Sequence, residues 1–222
     1  MIGTLWAQSY CPLCTRYAFE YHENICLECH KSISRYIIDT YADHRCPECF
    51  APMLHAGSVC LCESRFPFYQ IAYHRGLLRT LLHRYVLSKD TRFSLYVAML
   101  CKPAFDVCLK KYCSITVVPL PSGNKFKDRK EFTALSGLAL CSKTDKSVIV
   151  ANLLCRIRNR RGFSYKLNAK KCVTYARTCD SSTRCLVLFD ATATSYKNIT
   201  KAVELLKNRF SGTVAAICLA MD

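Results

Sequence analysis

Apolar residues recur along this chain with two different periods. In AYHRGLLRTLLHRYVL, residues 72–87, they fall at helical spacing with basic residues between them, so a helix is expected there. Residues 92–113 continue in the same manner as a second helix. ITVVPLPSG at 115–123 is instead a β-branched run ending in Pro119, Pro121 and Gly123, the pattern of a buried strand leading into a loop. Further along, 130–142 reads as helix, KSVIVANLL at 146–154 as strand, CLVLF at 185–189 as strand, about 198–209 as helix and TVAAICLA at 213–220 as a closing strand. Helices alternating with short, uninterrupted apolar strands predict an α/β fold with a parallel sheet covered on both faces. Ligands in such folds bind at the carboxyl ends of strands, which points to the loops after Val118 and Phe189. The longest uncharged apolar runs, 93–101 and 213–221, are too short to span a bilayer. MIGTLWAQSYCPLC has no basic stretch ahead of its apolar residues, so no secretory signal or membrane insertion is expected, and a cytoplasmic protein is.

The cysteines change the picture of the first third. There are 17, and eight of them precede residue 63 in pairs: Cys11/Cys14, Cys26/Cys29, Cys46/Cys49 and Cys60/Cys62. Two residues between cysteines allow a tight turn to aim both thiolates at one metal, and two such knuckles complete a tetrahedral site. Residues 1–65 are therefore expected to be a double zinc ribbon ahead of an α/β domain at 66–222, holding one or two structural zinc ions. Pairing in sequence order is the simplest scheme, and interleaved pairing is equally compatible with the spacing. The shorter Cys60–Cys62 spacing makes the second site the weaker one. His22, His30, His44 and His55 lie close enough to replace a cysteine, although surface positions suit them better. The other nine cysteines sit among apolar neighbours and read as small buried hydrophobes.

Charge divides the chain at nearly the same place. The net charge is +16; residues 1–75 carry 6 Lys/Arg against 7 Asp/Glu, and residues 76–222 carry 26 against 9. Within the second part, residues 156–184 hold nine Lys/Arg and one acid, interleaved with aromatics. Dense positive charge suits phosphates and exposed aromatic faces suit unpaired bases, so this composition points to single-stranded nucleic acid. The expected contact set is Arg156, Arg158, Arg160, Arg161, Phe163, Tyr165, Lys166, Lys170 and Lys171. A solvated basic loop with inward-packed aromatics would have the same composition. Lys125, Lys127, Arg129 and Lys130 would extend the same electropositive edge.

The order of these features resembles the ComF family of competence proteins. The resemblance rests on the cysteine pairs, PFYQIAYHRGLLRTLL at 67–82, ITVVPLP at 115–121, LLCRIRNR at 153–160 and LVLFDATATS at 186–195. It implies a type I phosphoribosyltransferase-like domain behind a zinc ribbon, and a role with single-stranded DNA during DNA uptake. It also implies that Asp190, Thr192, Thr194 and Ser195 form a ribose- and phosphate-binding loop for phosphoribosyl pyrophosphate, with Mg²⁺ needed only if that ligand binds. The loop departs from the family pattern. Asp190 matches the first of two acids, Ala191 replaces the second, and Tyr196 stands where glycine lets backbone amides approach a phosphate. The expectation is a retained fold with its transferase chemistry weakened or lost. Two alternatives remain: an active phosphoribosyltransferase, and a zinc-ribbon scaffold that docks a helicase-like partner.

Overall fold

A computed structural model describes residues 9–18, 20–22, 24–38, 46, 66–87, 90–112, 114–121, 148–159, 162–172, 184–193 and 196–221. The chain begins with two small antiparallel hairpins, β1 (Ser9–Tyr10) with β2 (Tyr17–Ala18) and β3 (Tyr21–His22) with β4 (Ile25–Cys26). Helix α1 (Leu27–Ser34) follows directly. The main sheet contains β5 (Phe68–Tyr73), β6 (Ser114–Pro119), β7 (Val148–Val150), β10 (Arg184–Ala193) and β11 (Val214–Met221). Its order is β5-β11-β10-β6-β7, and every pairing is parallel. Helices α2 (Gly76–Leu87), α3 (Ser94–Tyr112) and α4 (Tyr196–Lys207) connect or follow these strands. Between β7 and β10 stands an antiparallel hairpin, β8 (Leu154–Asn159) with β9 (Gly162–Leu167).

Because β10 and β11 are central, alternate residues of each feed opposite cores. Cys185, Val187, Phe189 and Ala191 of β10, with Ala215, Ile217 and Leu219 of β11, enter a first core. There they meet α2 through Leu78, Leu81, Leu82 and Tyr85, and α3 through Tyr96, Cys101, Phe105 and Cys108. Leu186, Leu188, Val214, Ala216 and Cys218 enter a second core beneath Ile199, Ala202, Val203 and Leu206 of α4. Each valine, leucine, isoleucine or phenylalanine among these contributes about 1.5–3 kcal/mol when taken out of water, before conformational entropy opposes it.

Several expectations from the apolar pattern need correction. Residues 72 and 73, included in the first helix, belong to β5, and the helix begins only at Gly76. Tyr69, Ile71 and Ala72 are buried in β5, and this strand was not separable from the helical repeat that follows it. The basic segment, for which the apolar pattern gave no strand, is in part a paired hairpin, β8–β9. Strand β10 runs four residues beyond Phe189, through Ala193. Helix α3 continues past Pro103, because that residue is exposed while Ala104, Phe105 and Cys108 pack into the first core. Packing there outweighs the hydrogen bond that proline removes. The helix expected at 130–142, the basic cluster at 125–130 and the boundary at residue 65 lie outside the described residues.

The amino-terminal elements join the first core. Cys11, Leu13, Ile25, Cys26, Cys29 and Ile33 pack in the same cluster as the sheet and α2. Residues 36–38 then lie antiparallel along β5, with Tyr73 N–H donating to Tyr36 O at 2.9 Å and Ile38 N–H to Ile71 O at 2.8 Å. This covers an otherwise open sheet edge. Tyr36 also seats its ring on Gly76, whose φ is +51°; a Cβ there would stand 2.5 Å from the ring. Gly76→Ala is expected to lower stability by about 1–2 kcal/mol from the left-handed backbone alone. That is a melting temperature lower by about 2–8 °C for a chain of this size, measurable by thermal denaturation. An unchanged midpoint would show that Gly76 does not hold a left-handed backbone.

Candidate metal centre and the carboxyl edge of the sheet

The four cysteines of the first two knuckles converge. Sγ atoms of Cys11, Cys14, Cys26 and Cys29 all lie within 4.8 Å of one another, and the group could hold a metal ion. Cys11 and Cys29 sulfurs are 3.9 Å apart and those of Cys14 and Cys26 are 3.7 Å apart. Four thiolates arranged as a tetrahedron around an ion with bonds of 2.3 Å would have edges of roughly 3.8 Å. Backbone turns set this arrangement. Thr15 N–H donates to Cys11 O at 2.8 Å and Cys11 N–H to Arg16 O at 2.9 Å, closing the first knuckle. Thr15 (φ 61°) and Asn24 (φ 71°) adopt left-handed backbone at the two turns. For a β-branched threonine this is a strained conformation, retained only where the surroundings impose it. In the second knuckle, Cys26 precedes the first residue of α1 with extended backbone and Cys29 lies in its first turn, where the helix dipole favours negative charge.

Three of the ligands are buried and Cys14 is half-buried. Burial alone would raise the Cys11 thiol, but backbone N–H groups, first that of Cys26 at 3.4 Å, outweigh it and bring it down to about 7. Burial raises Cys26, and burial followed by the neighbouring sulfurs raises Cys29. Four sulfurs this close all become thiolates only beside a compensating cation, which is the donor set of a closed structural metal site. An open cavity of about 580 Å³ adjoins the centre, lined by Cys14, Arg16, Tyr17, Glu28 and Leu77 among others. Arg84 of α2 donates to the carbonyls of Pro12 and Leu13 at 2.8 and 3.0 Å, tying the first knuckle to the α/β body. His30 shares a hydrogen bond of 2.9 Å with Tyr96 Oη of α3, so it serves this junction rather than the sulfur cluster. Of the second expected quartet, Cys46 is buried, and Cys49, Cys60 and Cys62 lie outside the described residues, as do His44 and His55.

The second site anticipated from sequence lies where β6 and β10 end. Chain order reverses between them: β6 continues to β7 on one side, and β10 pairs with its other side. In parallel sheets that reversal leaves a crevice at the carboxyl ends. Phe189 is the last β10 residue opposite β6, and Leu120 N–H donates to its carbonyl at 2.8 Å. Asp190 is therefore the first residue of β10 past the end of β6. It is 8% exposed, and its Oδ1 accepts the Thr192 N–H at 3.1 Å. The strand nevertheless continues, with Thr192 opposite Ala220 and Ala193 opposite Met221. Only residues 194 and 195 separate it from α4, so Thr194 and Ser195 are outside the described residues. Ala191, at the second acid position, is buried in the first core. Tyr196 is the first residue of α4 and has no left-handed backbone. Its ring stacks on Phe66 at 5.7 Å and meets Phe68 edge-on at 5.2 Å. The steric conflict expected of tyrosine at this position therefore does not arise.

The basic segment divides between two environments. Arg156 is opposite Tyr165, and Arg158 opposite Phe163, in the β8–β9 register. Tyr165 and Leu167 pack against the second core, and Arg156 is half-buried, while Lys166, Lys170 and Lys171 are exposed. Arg160 and Arg161 lie outside the described residues. Lysines on the outer face of α4 were missed by reading the basic run alone, since a few lysines in an amphipathic helix carry no distinguishing signal.

No protein-family model matches the chain, and no curated protein matches it.

Two outcomes follow from this geometry. Metal analysis of protein purified under reducing conditions is expected to find a tightly bound divalent ion held by Cys11, Cys14, Cys26 and Cys29, with Cys29→Ser losing it and melting at lower temperature. Retention of the full metal content by Cys29→Ser would place the metal elsewhere. Ala191→Asp is expected to destabilise by about 3 kcal/mol or more, because it puts a carboxylate without a partner into the first core. An unchanged chemical-denaturation midpoint would show that position 191 faces the crevice instead.

Proposed function

We propose that this chain is a ComF-like protein that handles single-stranded DNA, with a zinc-stabilised amino-terminal ribbon and a phosphoribosyltransferase-like domain lacking full catalysis. The observation carrying this reading is that the basic segment includes an ordered strand pair mounted on the domain. Tyr165 and Leu167 anchor it in the second core while Lys166 and the following Lys170 and Lys171 stay exposed. Cations held on a rigid support lose less freedom on meeting phosphate than those of a solvated loop. Zinc suits the four thiolates, since it takes tetrahedral sulfur sites without redox chemistry. Its role is structural, because all four positions are supplied by the chain.

The domain's own residues argue against transfer chemistry. Asp190 accepts a hydrogen bond from the chain's own Thr192 amide, and Ala191 offers no second carboxylate. A second reading, binding or transfer from phosphoribosyl pyrophosphate with Mg²⁺, is favoured by the place of Asp190 at the chain reversal between β6 and β10.

Titration of the full chain with a labelled single-stranded 20-mer is expected to give binding that weakens steeply with salt, by about 0.7 in log–log slope for each phosphate neutralised. In parallel, incubation with phosphoribosyl pyrophosphate, Mg²⁺ and common base acceptors is expected to release no pyrophosphate above background. Clear release would establish the transferase. Absence of oligonucleotide binding even at low salt would leave the ribbon as a scaffold for a helicase-like partner.

A further inference from the structure

Among the described residues, exposed cations outnumber exposed acids on both faces of the sheet. On the α3 side, Lys102 pairs with Asp106 at 2.6 Å and Arg92 with Asp90 at 2.7 Å, Glu20 and Glu28 are exposed on the amino-terminal elements, and further cations, among them Arg35, Arg79, Lys110 and Lys111, are exposed as well. On the α4 side, among the described residues, Lys166, Lys170, Lys171, Lys197, Lys201, Lys207 and Arg209 are exposed against one exposed acid, Glu204. Helix α4 packs against β9, so the two groups of lysines belong to one surface. Lys197 and Lys201 are one helical turn apart, about 6 Å along the axis, and Lys207 lies about 9 Å further.

Tyr196 heads this row. It is 41% exposed, although its ring is held by a parallel stack on buried Phe66 and an edge contact with Phe68. An aromatic ring fixed in place and still open to solvent is what an unpaired base stacks on, and its side-chain freedom is already restricted before a ligand arrives. The apolar stripe of α4 (Ile199, Ala202, Val203 and Leu206) is buried beneath the helix, so this element has no face to insert into a bilayer.

We propose that the outer face of α4 is the contact for single-stranded nucleic acid: Tyr196 stacks on a base, Lys197, Lys201 and Lys207 follow the phosphates, and Lys166 and Lys170 extend the path. This rests on the function proposed above and moves its principal contact from the basic segment around β8–β9 to α4. The tyrosine that replaces a phosphate-loop glycine thus takes a different binding role.

The test is fluorescence anisotropy of the full chain with a labelled 20-nucleotide oligothymidylate over a range of salt. Lys197→Ala/Lys201→Ala/Lys207→Ala is expected to flatten the log–log salt slope by about 2, at about 0.7 per phosphate contact. Tyr196→Ala is expected to weaken binding by about 5- to 150-fold with the slope unchanged, and Tyr196→Phe to bind like the parent. The lysine variant changes only exposed side chains, so it remains decisive if Tyr196→Ala does not fold. Parent-like affinity and slope in the lysine variant, with loss of binding in Arg156→Ala/Arg158→Ala, would overturn the assignment to α4 while keeping the function. A parent protein that binds no oligonucleotide at low salt would overturn the function itself. Cosedimentation with phosphatidylserine vesicles in place of oligonucleotide binding would mark the surface as a membrane contact and overturn the proposal.

Discussion

The central strand pair β10–β11 is the constraint on which the other elements depend. Both strands are buried on both faces, and their register, Leu186 opposite Val214 through Ala193 opposite Met221, divides their side chains between two cores. A slip of one residue would exchange those sets and break both layers at once. Parallel pairing with β5 and β6 on the flanks then fixes which strand ends meet, and so places Asp190 beside the end of β6. The meeting of these strand ends is a consequence of sheet order.

The four-cysteine cluster, which could hold a metal ion, is coupled to this frame rather than appended to it. Its buried cysteines sit in the same apolar cluster as α2, α3 and the sheet. Three contacts make the connection specific: Arg84 to the knuckle carbonyls, His30 to Tyr96, and Tyr36 over Gly76. Disturbance of the thiolates would therefore reach the edge strand β5 through a short path of packed groups. Cysteines elsewhere behave differently. Burial raises the thiols of Cys101 and Cys172 and pushes those of Cys108 and Cys185 up to about 12, which suits inert core residues.

The placement of exposed cations beside an open aromatic ring links the fold to the proposed activity. The layer built from α2, α3 and the amino-terminal hairpins holds the metal centre and most of the described acids. The layer built from α4 and the β8–β9 hairpin holds a group of exposed cations beside the exposed ring of Tyr196. A surface of exposed cations raises encounter rates with polyanions, an effect that weakens as salt rises.

Much of the architecture was legible in the residues themselves. CLVLF and TVAAICLA are continuous apolar runs of the kind that doubly covered strands carry, and the Cys-x-x-Cys spacing pairs thiols through local turn geometry alone. Boundaries were less legible where two periods abut: β5 merged with α2 because Phe68–Tyr73 is too short to show its alternation before the helical repeat begins. The candidate sites divide in the same way. Asp190 at the end of an apolar strand is visible in the sequence because the change from apolar to acidic is local. That Ala191 faces a core, that Tyr196 is held by Phe66, and that α4 lies beside β9 all depend on residues far apart in the chain. Local spacing determines ligands and strands; which surfaces meet, and hence where charge and open aromatic rings collect, is decided only when the sheet closes its two cores.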